Sequence, residues 1–395
     1  MDRFCANGDF HIHDYRSENE RRNNEAIQTD LRGQVWLGGL EHSMKLSLMR
    51  HRQINQMPYA NTDHLIGTTN VNGGLTPTPN NSSAPLTNSS DYNTEIALND
   101  RLRLTEHTTA WLGLRHTQLN RQSIQTDGSA AKQETRGVST PWLALSHQPT
   151  HSYTVYASYG QGLETEVVPN LSNPNTLLSY TNAGQPLPAL KSTQREIGIK
   201  TQFAQTAWQV TWFDITRPAT ADAQVSCNNT PSACIYTRKI DGQNHHQGLE
   251  VRTQTKLTRW DLDASAMRLD AKRENAMVQT DLNGQHPINV PKYILRGMAE
   301  YRSTSIVGLR SGLRLSHEGE RNVTEYGAIM LPAWTTVDAT THYDTQVNNV
   351  ASTWTLAINN LANKHYWRES PKQYGQYFLY PGAPRTIRAT IQFHL

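Results

Sequence analysis

What the chain lacks narrows its class first. No run of about 18 apolar residues occurs, so a transmembrane helix is excluded. Only 36% of the 395 residues are hydrophobic, and only three are cysteines. There is no Lys/Arg block and the formal net charge is +3, so nothing points to nucleic acid. The opening residues, MDRFCANGDF, lack a charged segment followed by an apolar one and do not read as a signal peptide. Ser, His and Asp are scattered without a nucleophile–base arrangement, so no enzyme is indicated and no cofactor is expected. One membrane architecture survives these absences. Alternating β-strands have low mean hydropathy, so a transmembrane β-barrel remains open.

What is present favours that architecture. In APRTIRATIQFHL, Ile387, Ala389, Ile391, Phe393 and Leu395 alternate with Thr386, Arg388, Thr390, Gln392 and His394. Such alternation sends one set to each face of a strand. A soluble domain rarely ends on an apolar edge strand, which invites aggregation. A barrel gives the apolar face to lipid and the polar face to a wet interior. Two-residue periodicity recurs over about sixteen stretches. They are Phe10–Ser17, Ile27–Trp36, Met44–Ile54, Tyr92–Leu104, Thr108–Leu119, Thr135–His147, Tyr153–Tyr159 and Thr193–Phe203. The series continues with Ala207–Thr216, Ile235–Leu257, Trp260–Leu269, Val290–Tyr301, Ile306–His317, Trp334–Tyr343, Ala351–Leu361 and the terminal strand. Most run to about 10–13 residues, against about 5–6 in soluble proteins, and about 9–11 tilted residues span a bilayer.

Connections alternate between short turns and long polar loops. The segments Asn55–Asp91, Gly160–Ser192 and Asp270–Asn289 read as long loops, LGGLEHS and Ala204–Thr206 as tight turns. That pattern is the signature of a barrel with short periplasmic turns and long extracellular loops. Gly242 reads as a bend within the stretch Ile235–Leu257. Between Ala266 and Met267 the alternation slips phase, which predicts either a bulge or the end of the lipid band. The fold class expected is therefore all-β: an antiparallel up-and-down transmembrane barrel.

Cys227 and Cys234, in SCNNTPSAC, read as a local disulfide formed in an oxidising compartment. A metal site is the alternative, but that loop holds no histidine and zinc spacing is usually tighter. Cys5 is left over. His245 and His246 are adjacent on a strand and face opposite ways, a poor metal pair. His11 and His13 share a face, for which a wet lumenal position is expected. No metal site is assigned.

Several segments together resemble TonB-dependent siderophore receptors. They are FHIHDYRSENERRNN at 10–24, YASYGQGLE at 156–164, LPALKSTQREIGIK at 187–200, AWQVTWFDITRP at 207–218 and HHQGLEVRTQTKL at 245–257. INNLANKHYW at 358–367 and YPGAPRTIRATIQFHL at 380–395 complete the set. The resemblance implies a barrel of about 22 strands enclosing an N-terminal plug. No segment resembles the plug or the TonB box. Residues 1–395 are thus expected to be a C-terminal portion of the barrel domain, with roughly six strands missing. Export requires a natural start upstream of Met1. Phe10–Ser17 is expected to run upward, away from the periplasm.

The implied function is outer-membrane uptake of ferric siderophores, energised by the TonB–ExbB–ExbD system through the missing N-terminal region. Haem or another metal chelate, or a passive outer-membrane pore, are the alternatives. Asn173-Pro174-Asn175 faintly resembles a haem-receptor motif, yet no histidine lies between Gly160 and Ser192. Capture by aromatic and polar loop residues makes Tyr366, Trp367, Arg368, Tyr374 and Tyr377 the ligand-binding candidates. An interfacial aromatic girdle is the competing reading. Arg310, Arg314 and Arg388 are expected to line the lumen. The family commonly ends on Phe; here Ile391, Phe393 and Leu395 form the strand that the barrel-assembly machinery is expected to read. Outer-membrane lipid completes the implied partners.

Overall fold

The computed structural model describes residues 9–16, 18–58, 60–70, 72–168, 179–227, 234–373 and 376–394. Fifteen strands hydrogen-bond in chain order into one antiparallel sheet. They are β1 (Arg21–Leu37), β2 (Leu40–Gln56), β3 (Thr87–Arg103), β4 (Thr108–Gln125) and β5 (Lys132–Thr150). Next come β6 (Tyr153–Glu164), β7 (Leu190–Phe203), β8 (Thr206–Cys227), β9 (Cys234–Lys256) and β10 (Trp260–Glu274). The last five are β11 (Tyr293–Arg302), β12 (Leu309–Glu318), β13 (Trp334–Val347), β14 (Val350–Asn359) and β15 (Thr386–His394). A two-residue strand, Ser179–Tyr180, joins in parallel beside Ile235 and Tyr236.

Alternation sorts the two faces as the sequence predicts. On β12, Leu313 and Leu315 lie on one face, exposed 54% and 43%, while Arg310, Gly312, Arg314 and Ser316 take the other. Register carries the apolar face from strand to strand. Leu145, Ala157, Ile197, Trp212 and Leu249 follow one another straight across β5 to β9. Such a continuous exposed apolar face has lipid as its solvent. At the short-turn border it carries aromatic pairs, Tyr153 with Trp208 and Trp260 with Tyr301, suited to a bilayer interface. The opposite face is polar and ion-paired, for example Arg252–Asp263 at 3.1 Å and Arg310–Asp344 at 3.2 Å. Arg310, Arg314 and Arg388 all lie on this lumenal face.

The short turns follow their residues. Gly38 and Gly39 join β1 to β2, and Asn348–Asn349, with φ of 52° and 65°, join β13 to β14. Positive φ at both central positions gives the hairpin turn that matches strand twist. Gly242, at φ +69°, sits where the β8–β9 register shifts, so the expected bend is there. Above it β9 pairs with β8 and the Ser179–Tyr180 strand, and no longer with β10.

Three expectations are corrected and one pair of alternatives is decided. The wall has fifteen strands, because Phe10–Ser17 is not an upward strand of its own. The strand Asp9–Arg16 pairs with Ala60–Asn70, which pairs with Leu75–Pro85, as a separate three-stranded sheet. Its registers run on from those of β1, β2 and β3, so Asp9–Arg16 leads down into β1. For the same reason Asn55–Asp91 is largely strand: its polar residues satisfy a backbone ladder without needing an apolar face. At Ala266/Met267 the β9–β10 register is continuous, so there is no bulge; the lipid band simply ends. Ile306 and Val307 belong to the turn before β12, where Val307 is 90% exposed.

Among the described residues, β1 and β15 each pair on one side only. Both run toward the short-turn end. An antiparallel seam between them therefore takes an odd number of intervening strands.

Candidate functional site: the vestibule at the long-loop end

The long loops are folded against one another and against the upper strands. Between β6 and β7, the described residues 165–168 and 179–189 lean on two parts of the wall. On one side, Arg121 of β4 donates to the Leu187 carbonyl at 3.5 Å and Lys132 of β5 to the Gln185 side chain at 2.5 Å. On the other, Arg238 of β9 grips Asp222 of β8 through Nε at 2.8 Å and Nη2 at 3.0 Å. The same Nη2 reaches the Tyr180 hydroxyl at 2.9 Å, and Nη1 reaches Glu166 at 3.3 Å. The Asn182 amide clamps Arg238 by both its backbone groups, as a neighbouring strand would. Val168, Tyr180 and Leu187 form a small buried core under this loop. Burial and the neighbouring Asp222 carboxylate push the Tyr180 phenol well above its ordinary range.

Residues 275–292 are tied down by Asp241, which is 2% exposed. Its Oδ1 accepts the Met277 and Val278 amides at 2.6 and 2.8 Å, and Oδ2 accepts Gln279 at 3.2 Å. Arg273 Nη2 lies 3.4 Å from Oδ2. Burial pushes the Asp241 carboxyl up, but the three amides and Arg273 outweigh it and hold it below the ordinary carboxylate value. Arg273 is under-compensated by contrast: burial lowers its pKa and its Nε has no partner.

The third element is a knot of the loops after β10, β12 and β14. Asn289 N–H donates to the Asn322 carbonyl, and the Ser370 amide donates to Asn289 Oδ1 at 2.9 Å. Lys372 and Tyr377 both donate to Glu325. Burial pushes Glu325 up, but the Lys372 and Tyr377 hydrogen bonds pull its carboxyl below the usual value. A cleft of about 230 Å³ opens between these loops and the β8–β9 hairpin, lined by Asp222, Arg238, Arg273, His286, Glu325 and Lys372. Its cations already face carboxylates: Arg238 pairs with Asp222, Arg273 with Asp241 and Lys372 with Glu325. Such a cleft suits a polar guest without a large net charge.

On the lumenal wall beside the knot, Trp334 and Tyr366 pack with ring centroids 4.7 Å apart and planes tilted by 34°. The Arg296 guanidinium stands 5.9 Å over the Trp334 ring and pairs with Glu318. Trp334 is buried, yet its indole N–H has no acceptor. The half-buried Tyr366 ring and the Arg296 guanidinium, packed on the buried Trp334, are the parts of this cluster open to an aromatic or oxygen-rich guest.

The five ligand candidates do not converge. Tyr366 joins Trp334, whereas Tyr377 joins Glu325 on another loop. Trp367 is 44% exposed and Arg368 pairs with its neighbour Glu369. Tyr374 lies outside the described residues, as do Leu395, Cys5 and Asn173-Pro174-Asn175; nothing is described of the His11 and His13 side chains. Cys234 is disulfide-bonded, and the ladder sets Cys227 directly opposite it, though the Cys227 side chain lies outside the described residues. His245 faces outward between Asp214 at 2.7 Å and Glu274 at 3.2 Å. No group of metal ligands occurs among the described residues. Trp334, Arg296, Asp241 and Glu325 were not visible as site residues, because their partners lie on other strands. Only Asp241 carried a local sign, its place beside the Gly242 bend.

The Asn-Asn-Leu stretch has a structural role. Buried Asn360 takes φ +50°, donates its side chain to the Lys364 and Ala383 carbonyls, and accepts the Lys364 amide. It thereby closes the β14 end onto the segment leading to β15.

A family model described as TonB dependent receptor-like, beta-barrel, matches residues 3–361. The ferrichrome receptor FcuA of Yersinia enterocolitica is 27% identical over 260 residues, which is 64% of this chain and 32% of that protein. The metal-pseudopaline receptor CntO of Pseudomonas aeruginosa is 29% identical over 154 residues, 38% of this chain and 21% of that protein. The solved structure of BauA, the ferric preacinetobactin receptor of Acinetobacter baumannii, superposes with a TM-score of 0.78 at 21% identity. That match covers 98% of this chain and 56% of BauA. The chain thus spans a third or less of the curated relatives it matches and about half of the solved one. With 359 consecutive residues matched, it belongs to the TonB-dependent receptor-like β-barrel family, whose barrels lie in the outer membrane.

Proposed function

We propose that this chain forms part of the wall and outer vestibule of a receptor that takes up ferric siderophores, energised through TonB with ExbB and ExbD. The observation that carries this is the loop end itself. An already formed polar cleft, and beside it Tyr366 and Arg296 packed on the buried Trp334, lie at one end of a two-faced sheet. Siderophores are bulky, oxygen-rich chelates, and rings with a guanidinium match their mixed apolar and polar surface. Seven further strands would bring fifteen to the about 22 of such transporters, and an odd number gives an antiparallel seam. The relation to a metal-pseudopaline receptor supports a second reading, a chelate of another metal. A passive pore of this chain alone is disfavoured, since among the described residues its two edge strands run parallel with one side unpaired, and unpaired edges in lipid are costly.

The test is retention of radioiron-loaded ferrichrome, a ferric catecholate and haemin by outer membranes carrying the chain. Trp334→Ala with Tyr366→Ala should cut retention of one ferric siderophore about tenfold or more. Equal retention by membranes lacking the chain, or by the double variant, would overturn the reading. Retention of haemin alone would replace the siderophore with haem.

A further inference from the structure

The charged groups of the cleft at the long-loop end are already engaged with one another. Arg238 is held by Asp222 and Glu166, Arg273 by Asp241, and Lys372 by Glu325. Three cations thus face four carboxylates. His286 is engaged as well: its two ring nitrogens stand 2.9 Å from the Ala271 and Val290 carbonyl oxygens. The stretches of these loops outside the described residues, 169–178, 228–233 and 374–375, hold no Asp, Glu, Lys or Arg. What remains open to a guest along the cleft is neutral. Asn244, Gln279 and Gln285 line it, and none of their side-chain amides has a partner among the described residues.

That inventory separates iron chelates by charge. Iron(III) held by three hydroxamates, each with one negative charge, is neutral overall. Held by three catecholates, each with two, it carries three surplus negative charges. A guest entering the cleft loses water, and an anion placed beside carboxylates is costly unless a cation answers it. A trianionic guest would have to draw Arg238 or Lys372 from its carboxylate, and Asp222 or Glu325 would then lie unpaired beside it. A neutral guest leaves every pair in place and exchanges hydrogen bonds with the amides. Glu325 stays ionised, because the Lys372 and Tyr377 hydrogen bonds outweigh its burial.

We propose that Glu166, Asp222 and Glu325 make the cleft a charge filter. It admits charge-neutral ferric chelates of the trishydroxamate kind and turns away polyanionic ones. This rests on the receptor reading above and adds the charge of the chelate, which that reading leaves open.

The test uses the 395-residue chain in neutral detergent micelles. The probes are radioiron-loaded ferrichrome, a neutral trishydroxamate, and ferric enterobactin, a trianionic tris-catecholate. Equilibrium retention of each is measured at about 0.02 M and about 1 M salt. At low salt the wild type should retain ferrichrome about tenfold or more better than ferric enterobactin. High salt should shrink that ratio about threefold or more, because it screens charge and leaves shape alone. Glu166→Gln/Glu325→Gln keeps acceptor oxygens and removes two of the four negative charges. It should raise ferric enterobactin retention relative to ferrichrome about tenfold, a gain that a merely structural role would not produce. Glu300→Gln, on the lumenal wall near the short turns where Glu300 faces Arg310 at 3.7 Å, should leave the ratio unchanged. If the double variant fails to fold by far-UV circular dichroism, each single variant is measured instead and should shift the ratio about threefold. A wild type that favours ferric enterobactin would overturn the filter while leaving the receptor standing. So would a ratio unmoved by salt and by the variants, or an equal shift in Glu300→Gln. Retention of neither probe would count against the receptor reading itself, and the filter would fall with it.

Discussion

Asp241→Ala removes one carboxylate on which the loop 275–292 hangs. Three backbone amides and the buried Arg273 guanidinium converge on it. Removing the partner of a buried charge costs about 3–5 kcal/mol. The freed amides add less than the roughly 1–3 kcal/mol of a buried unsatisfied donor, since Met277 is 84% exposed and its surroundings admit water. At about 1.4 kcal/mol per tenfold, loop opening should rise between about a hundredfold and several thousandfold. Amide hydrogen exchange in micelles reads this directly at Met277, Val278 and Gln279. Strand amides of β11 and β12 serve as the internal standard. Asp241→Asn keeps an acceptor oxygen but loses the charge, and should show about half the free-energy effect. The pH dependence has a definite sign. The Asp241 pKa is lowered in the folded chain, so its contribution is fully present above the ordinary carboxylate value of 3.8 and lost as pH falls through the folded value. If residues 277–279 exchange within about twofold of wild type in Asp241→Ala, the anchor assignment is wrong.

Other perturbations should act separately. Arg238→Ala should expose Thr181 and Val168 amides to exchange while leaving 277–279 unchanged, because the two anchors share no partner. Asn360→Ala deletes three side-chain hydrogen bonds and should cost about 3 kcal/mol in a urea titration in micelles, with Asn360→Asp, which has no donor for the two carbonyls, losing at least as much. A Cβ added at Gly248 would lie 2.4 Å from the Phe213 ring and 2.5 Å from the Arg268 carbonyl. Gly248→Ala should therefore lower the melting temperature, at a cost of about 1–3 kcal/mol, and an unchanged melt would refute the close approach.

Much of the wall was legible because alternation is local. Leu309, Leu313 and Leu315 declare their face by spacing alone, as do Ile387, Ile391 and Phe393. A turn was legible where Gly supplied positive φ, as at Gly38 and Gly39, whereas Asn348 and Asn349 carried the same conformation without being read as a turn. The strand count failed at Asp9–Arg16, whose partner Ala60–Asn70 lies some fifty residues away in a stretch with no apolar face. The vestibule was the least legible part. Tyr366 was visible as an aromatic loop residue, but Trp334, which packs against it, read as the start of a strand. Asp222, Arg238 and Glu166 have ordinary composition and gain their meaning from a loop folded inward over β8 and β9. Side-chain convergence across a sheet leaves no spacing rule in the chain.

The central claim is that one face of each strand meets lipid and the other meets water. Single nitroxide labels at positions 310–316 of β12, in bilayers, test it most directly through collisions with oxygen and with a water-soluble nickel chelate. Positions 311, 313 and 315 should favour oxygen, and 310, 312, 314 and 316 should favour nickel, in strict alternation. Equal accessibility at odd and even positions, or shielding of the odd ones from both reagents, would contradict a membrane-spanning wall.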